Sequence, residues 1–119
     1  MFNSNFYSVI PTSLLSLAYR IGETDFAWES KNIPIVLDFL RDNSQFILGG
    51  DVYELSMGKI IGTYDSWYIN PNRSSFSESY KLTIQYINEY ESKNSGKFLY
   101  ALVWRQYYFF SGKQTRNSP

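Results

Sequence analysis

Apolar residues recur at helical spacing near the start of the chain. Four of them fall at positions i, i+3, i+4 and i+7, which share one helix face: Leu14, Leu17, Ala18 and Ile21. Pro11 suits the first turn of such a helix, because the N–H that proline lacks would have no intrahelical acceptor there. Gly22 suits its end. The pattern therefore predicts a first helix between Pro11 and Gly22.

A second helical pattern covers residues 33–41. Its apolar stripe again follows the helical period: Ile33, Val36, Leu37 and Leu40. Asn32 stands where a side chain can cap the first turn, and Pro34 lies inside that turn. These features predict a second helix over this range.

The middle of the chain is typical of β-structure. Its β-forming residues predict strands over residues 45–55, 59–64 and 67–69, which we expect to pair antiparallel. Two adjacent glycines, Gly49 and Gly50, interrupt the first of these strands. Paired glycines inside a strand indicate a β-bulge or the close approach of another backbone.

The clearest local signal is a capping box at Ser75 and Glu78. A serine at the N-cap and a glutamate three residues later each accept a backbone N–H of the other, so a helix is predicted over residues 76–92. Residues 97–110 are rich in β-formers and predict a long final strand or one half of a hairpin, followed by a frayed polar tail from about residue 112.

The order of these elements, ααβββαβ, predicts an α+β fold. We expect an antiparallel sheet with helices packed on one side, because each element must bury its apolar face against another. The length of 119 residues is typical of one domain, so a single domain is predicted over residues 1–119.

The composition removes the side chains on which most catalysis depends. The chain has no Cys and no His, and its formal net charge is zero. It therefore lacks thiolate and imidazole ligands, the usual general base, and the positive charge that nucleic acids attract. We expect no signal peptide, because residues 1–10 lack a basic stretch followed by an apolar run, and no apolar run is long enough to span a bilayer. We expect a cytoplasmic, non-enzymatic protein without cofactor, metal, membrane or nucleic-acid partner.

Charge is nevertheless uneven along the chain. Residues 1–65 carry eight acidic and four basic side chains, whereas residues 66–119 carry seven basic and three acidic ones. An acidic front half would suit a basic protein partner. The alternative is that folding intermixes the two halves.

Acidic residues beside aromatic ones are the candidates for a binding surface, because rings supply contact area and carboxylates attract cations. They occur in the loop expected between the first two helices, along the Gly-Gly-Asp strand, and around a later Trp-Tyr pair. In chain order they are Glu23, Asp25, Trp28, Glu29, Asp51, Tyr53, Glu54, Asp65, Trp67 and Tyr68.

These candidates also have structural interpretations. Trp28 and Trp67 are large enough to fill a core, and Asp51 would accept backbone N–H groups at a bulge. The aromatic run over residues 107–110 is either core or contact patch. A carboxylate pair such as Asp51 and Asp65 would suit acid–base hydrolysis, but so short a chain rarely builds the cleft.

Six short stretches within residues 14–104 form a combination of their own. They are Ala27-Trp28, residues 47–53, Trp67-Tyr68, Ser79, Tyr86-Ile87 and residues 98–103. The combination resembles the immunity protein 40 family, small cytoplasmic proteins encoded beside polymorphic or contact-dependent toxins in bacteria. The resemblance implies that the chain neutralises one cognate toxin domain, with a nuclease favoured, by tight binding over the active site or at an exosite.

Two other functions remain open on the sequence. One is a different interaction module, such as an adaptor or a chaperone for a secreted effector. The other is a small enzyme that uses carboxylates or a metal. The oligomeric state is open as well, with a monomer slightly favoured.

Overall fold

Five strands and three α-helices make up the part of the chain that the structure describes. The structure is a computed structural model, and it describes residues 10–108. Among these residues no helix is long and apolar enough to cross a membrane. In chain order the elements are α1 Thr12–Leu15, β1 Tyr19–Ile21, β2 Asp25–Glu29, a 3-10 turn Ser30–Asn32, α2 Ile33–Asp42, β3 Gln45–Ser56, β4 Lys59–Tyr68, α3 Phe76–Lys93 and β5 Phe98–Gln106.

All five strands form one antiparallel sheet in the order β1-β2-β5-β3-β4. The last strand, β5, lies between β2 and β3, so the two halves of the chain are intermixed. An ion pair joins the halves directly, with Lys97 Nζ 3.5 Å from Glu29 Oε2. The α+β fold with an antiparallel sheet and helices on one side is confirmed, and the separation of charge by halves does not survive folding.

The main core lies between the sheet and the helices α2 and α3. The predicted apolar stripe of α2 is buried at all four positions: Ile33, Val36, Leu37 and Leu40. From the sheet, Trp28, Trp104 and Tyr100 are the largest fully buried side chains. The indole N–H of Trp28 donates to the carbonyl of Leu14 at 2.9 Å, so burying this ring leaves its polar atom satisfied.

The first predicted helix is wrong beyond Leu15. The chain turns back at Gly22, which has φ +62°, and β1 pairs with β2 in a short hairpin. Leu17, assigned to the apolar stripe, is exposed, while Ile21 packs on the other side of the sheet from the helices. Strand pairing with β2 therefore outweighs the helical spacing. The observed order is αββαββαβ, and the expected loop after Gly22 is a hairpin turn followed by a strand.

The two strands predicted over residues 59–64 and 67–69 are one strand, β4. The interruption between them is an irregularity in the β3–β4 register next to Tyr53. Tyr64 lies in this irregular stretch and has φ +67°, which is rare for an aromatic residue. The gap read from the sequence is thus a bulge within a continuous strand.

The other predicted helix signals give mixed results. Both hydrogen bonds of the capping box are present: the Glu78 N–H donates to Ser75 Oγ at 3.1 Å, and the Ser75 N–H donates to Glu78 Oε1 at 2.8 Å. Asn32 occupies the N-cap of α2 but makes no capping hydrogen bond through its side chain. The 3-10 turn runs directly into α2 and leaves Asn32 in a helical conformation, from which a side chain caps poorly. The predicted tail from about residue 112 lies outside the described residues.

Candidate functional site

The sheet face opposite the helices has a small buried apolar cluster at its centre. Ala27, Leu99 and Ala101 form a buried cluster of their own there. Partly buried side chains from the neighbouring strands pack around this cluster: Tyr19, Ile21, Tyr53, Leu55 and Ile60. We call this side of the sheet the open face.

The Gly49-Gly50 pair brings β4 close to β3. At Gly49, where φ is +138°, an added Cβ would lie 2.0 Å from the carbonyl oxygen of Trp67. At Gly50 it would lie 2.5 Å from both the Trp67 ring and the Ala101 carbonyl oxygen. The predicted bulge and close backbone approach are both confirmed, since the β3–β5 register also shifts between Ile47 and Gly49.

Asp51 follows these glycines and is exposed on the open face. It lies opposite Ala101 on one side and Ser66 on the other. Within residues 10–108 its carboxylate takes part in no hydrogen bond or ion pair, so the expected alternative of backbone N–H groups at the bulge is not what the structure shows. Partial burial raises the pKa of the Asp51 carboxyl above its ordinary value, and the charge of Asp25 adds to the rise.

Three of the predicted candidates, Asp25, Asp51 and Tyr53, lie near one another on this face. Burial raises the pKa of the Tyr53 hydroxyl, with further contributions from the charges of Asp51 and Asp25. The three side chains therefore share one electrostatic environment, although β5 separates their strands. Two carboxylates and a phenol in such proximity favour a cationic group placed between them.

The β3–β4 hairpin carries exposed apolar side chains beside this acidic group. Of the eight large hydrophobic residues exposed within the described chain, four lie on β4 or its turn: Met57 at 98%, Ile61 at 50%, Tyr64 at 100% and Tyr68 at 73%. Of these four, only Tyr68 was predicted from the sequence. Only an indirect indication of Tyr64 was present in the sequence. The predicted strand pattern breaks after residue 64, and in the structure this break is the bulge at which the ring of Tyr64 is exposed.

A pocket opens at the bulge, between the acidic group and the exposed rings. It encloses about 320 Å³ and is lined by Asp51, Val52, Tyr53, Gly62, Tyr64 and Asp65. On one side the hydroxyl of Tyr90 donates to Asp65 Oδ2 at 2.7 Å. The pocket is thus lined by acidic and tyrosine residues, and the Asp65 carboxylate among them is held by Tyr90 of α3.

The remaining acidic candidates lie apart from this pocket. Glu29 accepts a hydrogen bond from the Tyr19 hydroxyl at 2.9 Å and has Lys97 and Lys31 nearby. The Tyr19 hydroxyl and the two lysines hold the pKa of Glu29 below its ordinary value. Glu29 is therefore a paired structural carboxylate, unlike Asp51.

The two tryptophan candidates differ in their access to a partner. Trp28 is completely buried and cannot contact another protein while the fold is intact, so its core interpretation holds. Trp67 is half-buried: its ring stacks on Tyr86 with centroids 4.7 Å apart, and its N–H donates to Thr83 Oγ1 at 3.3 Å.

The last two acidic candidates, Glu23 and Glu54, are also separated from the pocket. Glu23 lies in the exposed β1–β2 turn, where its backbone carbonyl accepts a hydrogen bond from Arg20 at 2.7 Å. Glu54 is half-buried on β3, and a Cβ added at Gly96 would lie 3.0 Å from one of its carboxylate oxygens.

The aromatic run over residues 107–110 divides between core and surface. The ring of Tyr107 packs against Phe46 and Phe76 with centroids 5.8 and 5.1 Å apart, whereas Tyr108 is exposed. Phe109 and Phe110 lie outside the described residues. Within residues 10–108 no group of three or more Asp or Glu side chains could hold a metal ion.

Comparison with known proteins gives one match. A family model described as immunity protein 40 matches residues 16–104, which is most of the chain. No curated protein and no solved structure matches the chain. The matched residues include β1 to β4 in full and β5 up to Trp104, and hence the open face and the pocket at the bulge.

Proposed function

Since the chain belongs to the immunity protein 40 family, we propose that it binds one cognate bacterial toxin domain and neutralises it by occlusion, without catalysis. The observation that carries this proposal is the surface formed by the open face and β4, where exposed tyrosines stand beside carboxylates. Tight protein interfaces use buried aromatic anchors with charged groups around them. The chain acts in the cytoplasm in this proposal and requires no cofactor.

A nuclease domain is the proposed target. Enzymes that act on phosphate backbones carry basic residues around their clefts. The Asp25 and Asp51 carboxylates on the open face are the complement of such a cleft, and exposed Tyr64 and Tyr68 would supply contact area. Binding at the cleft would exclude substrate directly, and binding beside it would exclude substrate sterically.

Co-expression tests the proposal. The toxin domain encoded by the gene directly upstream is expressed in a bacterial host with or without this chain, and growth is followed. We expect the chain to restore growth and to form a stoichiometric complex with a dissociation constant in the nanomolar range or tighter, roughly −12 kcal/mol or stronger.

The negative outcomes separate the alternatives. A stable complex that fails to restore growth would favour an adaptor or effector chaperone over an immunity protein. If the purified chain converts a substrate by itself, the non-enzymatic proposal fails. Absence of both complex and protection would contradict the proposal entirely.

A further inference from the structure

We propose that the pocket at the β4 bulge receives one arginine side chain of the partner protein, with the guanidinium beside the Asp51 carboxylate and against tyrosine rings. This inference rests on the proposed function and names the group of the toxin that the chain recognises. The pocket contains what an arginine requires: a charge-assisted acceptor with two oxygens in Asp51, and aromatic surface in Tyr53 and Tyr64. Arginine fits better than lysine, because its planar head both stacks on rings and donates to two acceptors.

The size of the pocket suits a single side chain. Its volume of about 320 Å³ lies at the lower end of the range of roughly 300–1,000 Å³ for small-molecule sites. Gly62 helps to keep this space open. A Cβ added there would have Tyr53 Cε1 as its nearest neighbour, at 3.9 Å, so the position accepts a side chain at the cost of pocket volume.

The Asp51 carboxylate in the pocket has no cation of its own within residues 10–108. The ion pairs among the described residues involve Glu29 and Asp38 as acids, and neither Asp51 nor Asp65 takes part in one. Asp51 also has a raised pKa, because it is partly buried and lies near Asp25. A cation from a partner would supply the missing counter-charge, which makes binding at this point favourable.

The bulge is held in place before any partner arrives. Thr63 Oγ1 donates to the Val52 carbonyl at 2.8 Å and accepts the Asp65 N–H at 3.1 Å, while Tyr90 orients the Asp65 carboxylate. Tyr64 keeps a positive φ and a fully exposed ring within this hydrogen-bonded frame. An unfavourable backbone conformation that displays an aromatic side chain is typical of a contact site, since a pre-formed site loses little entropy on binding.

Binding to the catalytically inactivated upstream toxin domain, measured by calorimetry, tests the inference. Tyr64→Ala removes a ring and Gly62→Val fills the pocket, and each should raise the dissociation constant by about 30-fold or more. Tyr108→Ala and Asp38→Asn are matched controls, since both residues are exposed and neither lines the pocket; they should change it less than about threefold. If Gly62→Val fails to fold, Gly62→Ala replaces it.

A double-mutant cycle identifies the arginine. Each surface arginine of the toxin domain is changed to alanine and measured against wild type and Asp51→Asn. One arginine should show strong non-additivity with Asp51→Asn, and Lys in its place should not restore binding. If wild type binds but the pocket variants bind equally well, or if no arginine couples, this inference fails while the proposed function stands. If the wild-type chain forms no complex, both fail.

Discussion

The two faces of the sheet use similar side chains for different purposes. On the helix-covered face, Tyr80 and Tyr100 are buried and their hydroxyl groups have protein acceptors. The hydroxyl of Tyr100 donates to Glu91 Oε2 at 2.7 Å, and that of Tyr80 donates to the Gln45 carbonyl. On the open face and β4, by contrast, the ring of Tyr64 is exposed and Asp51 has no partner within residues 10–108. Polar atoms satisfied inside the fold stabilise it, whereas those left unsatisfied at the surface are available to another molecule.

The same contrast holds within the open face. Glu29 at one end is paired and has a lowered pKa, while the Asp51 carboxylate in the middle has no partner in the described part of the chain and has a raised pKa. A lowered carboxyl pKa means that the charged form stabilises the fold, and a raised one means that it opposes the fold. Glu29 is therefore expected to act on stability and Asp51 on binding.

The largest expected difference in stability is between alanine variants of Trp28 and Tyr64. Trp28→Ala should lower the free energy of unfolding by about 3–5 kcal/mol, because it leaves a cavity in the main core and removes the hydrogen bond to Leu14. Tyr64→Ala should change it by less than about 0.5 kcal/mol, since its ring is fully exposed. Urea unfolding measures both. If the two variants lose equal amounts of unfolding free energy, then the core around Trp28 and the surface at Tyr64 do not have separate roles in stability and binding.

The next largest difference in stability is expected between alanine variants of two glycines in the β3–β4 pair. Gly49→Ala should cost about 1–3 kcal/mol or more, because its Cβ would overlap the Trp67 carbonyl oxygen at an unfavourable φ. Gly62→Ala is the control, since its Cβ would make an ordinary contact with Tyr53. Thermal unfolding of the two variants tests this prediction. A Gly49→Ala protein as stable as wild type would contradict the close approach of the β4 backbone to Gly49.

A smaller effect is expected at Glu29. Glu29→Gln weakens the contacts to Tyr19 and Lys97 and should cost about 1 kcal/mol or less at neutral pH, because these contacts are partly screened by solvent. The folded-state pKa lies below the ordinary value of 4.5, so the wild-type advantage should disappear as the pH falls below 4.5 and through that lower pKa. Unfolding curves at a series of pH values test this, and an advantage that persists in acid would exclude the charge as its source.

The smallest change in stability is expected at Asp51, with the opposite sign. Its folded-state pKa lies above the ordinary value of 3.8, so the charge opposes folding at neutral pH and this effect fades as the pH falls through the raised pKa. Asp51→Asn should therefore be as stable as wild type or slightly more so, within about 0.5 kcal/mol, yet bind the toxin domain less tightly. If Asp51→Asn is less stable than wild type at neutral pH, or binds the toxin domain with the same affinity, then Asp51 has a structural role like that of Glu29.

Local signals predicted those parts of the fold in which neighbours along the chain settle the structure. The capping box fixed the start of α3, and the apolar stripe fixed the buried face of α2. The first helix failed because Tyr19–Ile21 pairs with β2, which depends on a turn at Gly22 and on cluster residues from β5 far along the chain. A helical period over so few residues is weak against such pairing.

The candidate site was predicted only in part for the same reason. Asp25, Asp51 and Tyr53 were all named from the sequence, but nothing in their spacing showed that β5 would bring them together. Tyr64 and Gly62 were not among the candidates, because their importance depends on a bulge that arises from pairing with β3.

The amino-acid sequence by itself determined the chemistry available to this protein: rings, hydroxyls and carboxylates, with no imidazole or thiol. It also determined the α+β class and the family resemblance, because both depend on residue types and local order. Only the tertiary structure decided which carboxylates are paired and which rings are exposed. Pairing and exposure depend on distances between strands that are remote in the chain, and such distances are set by packing.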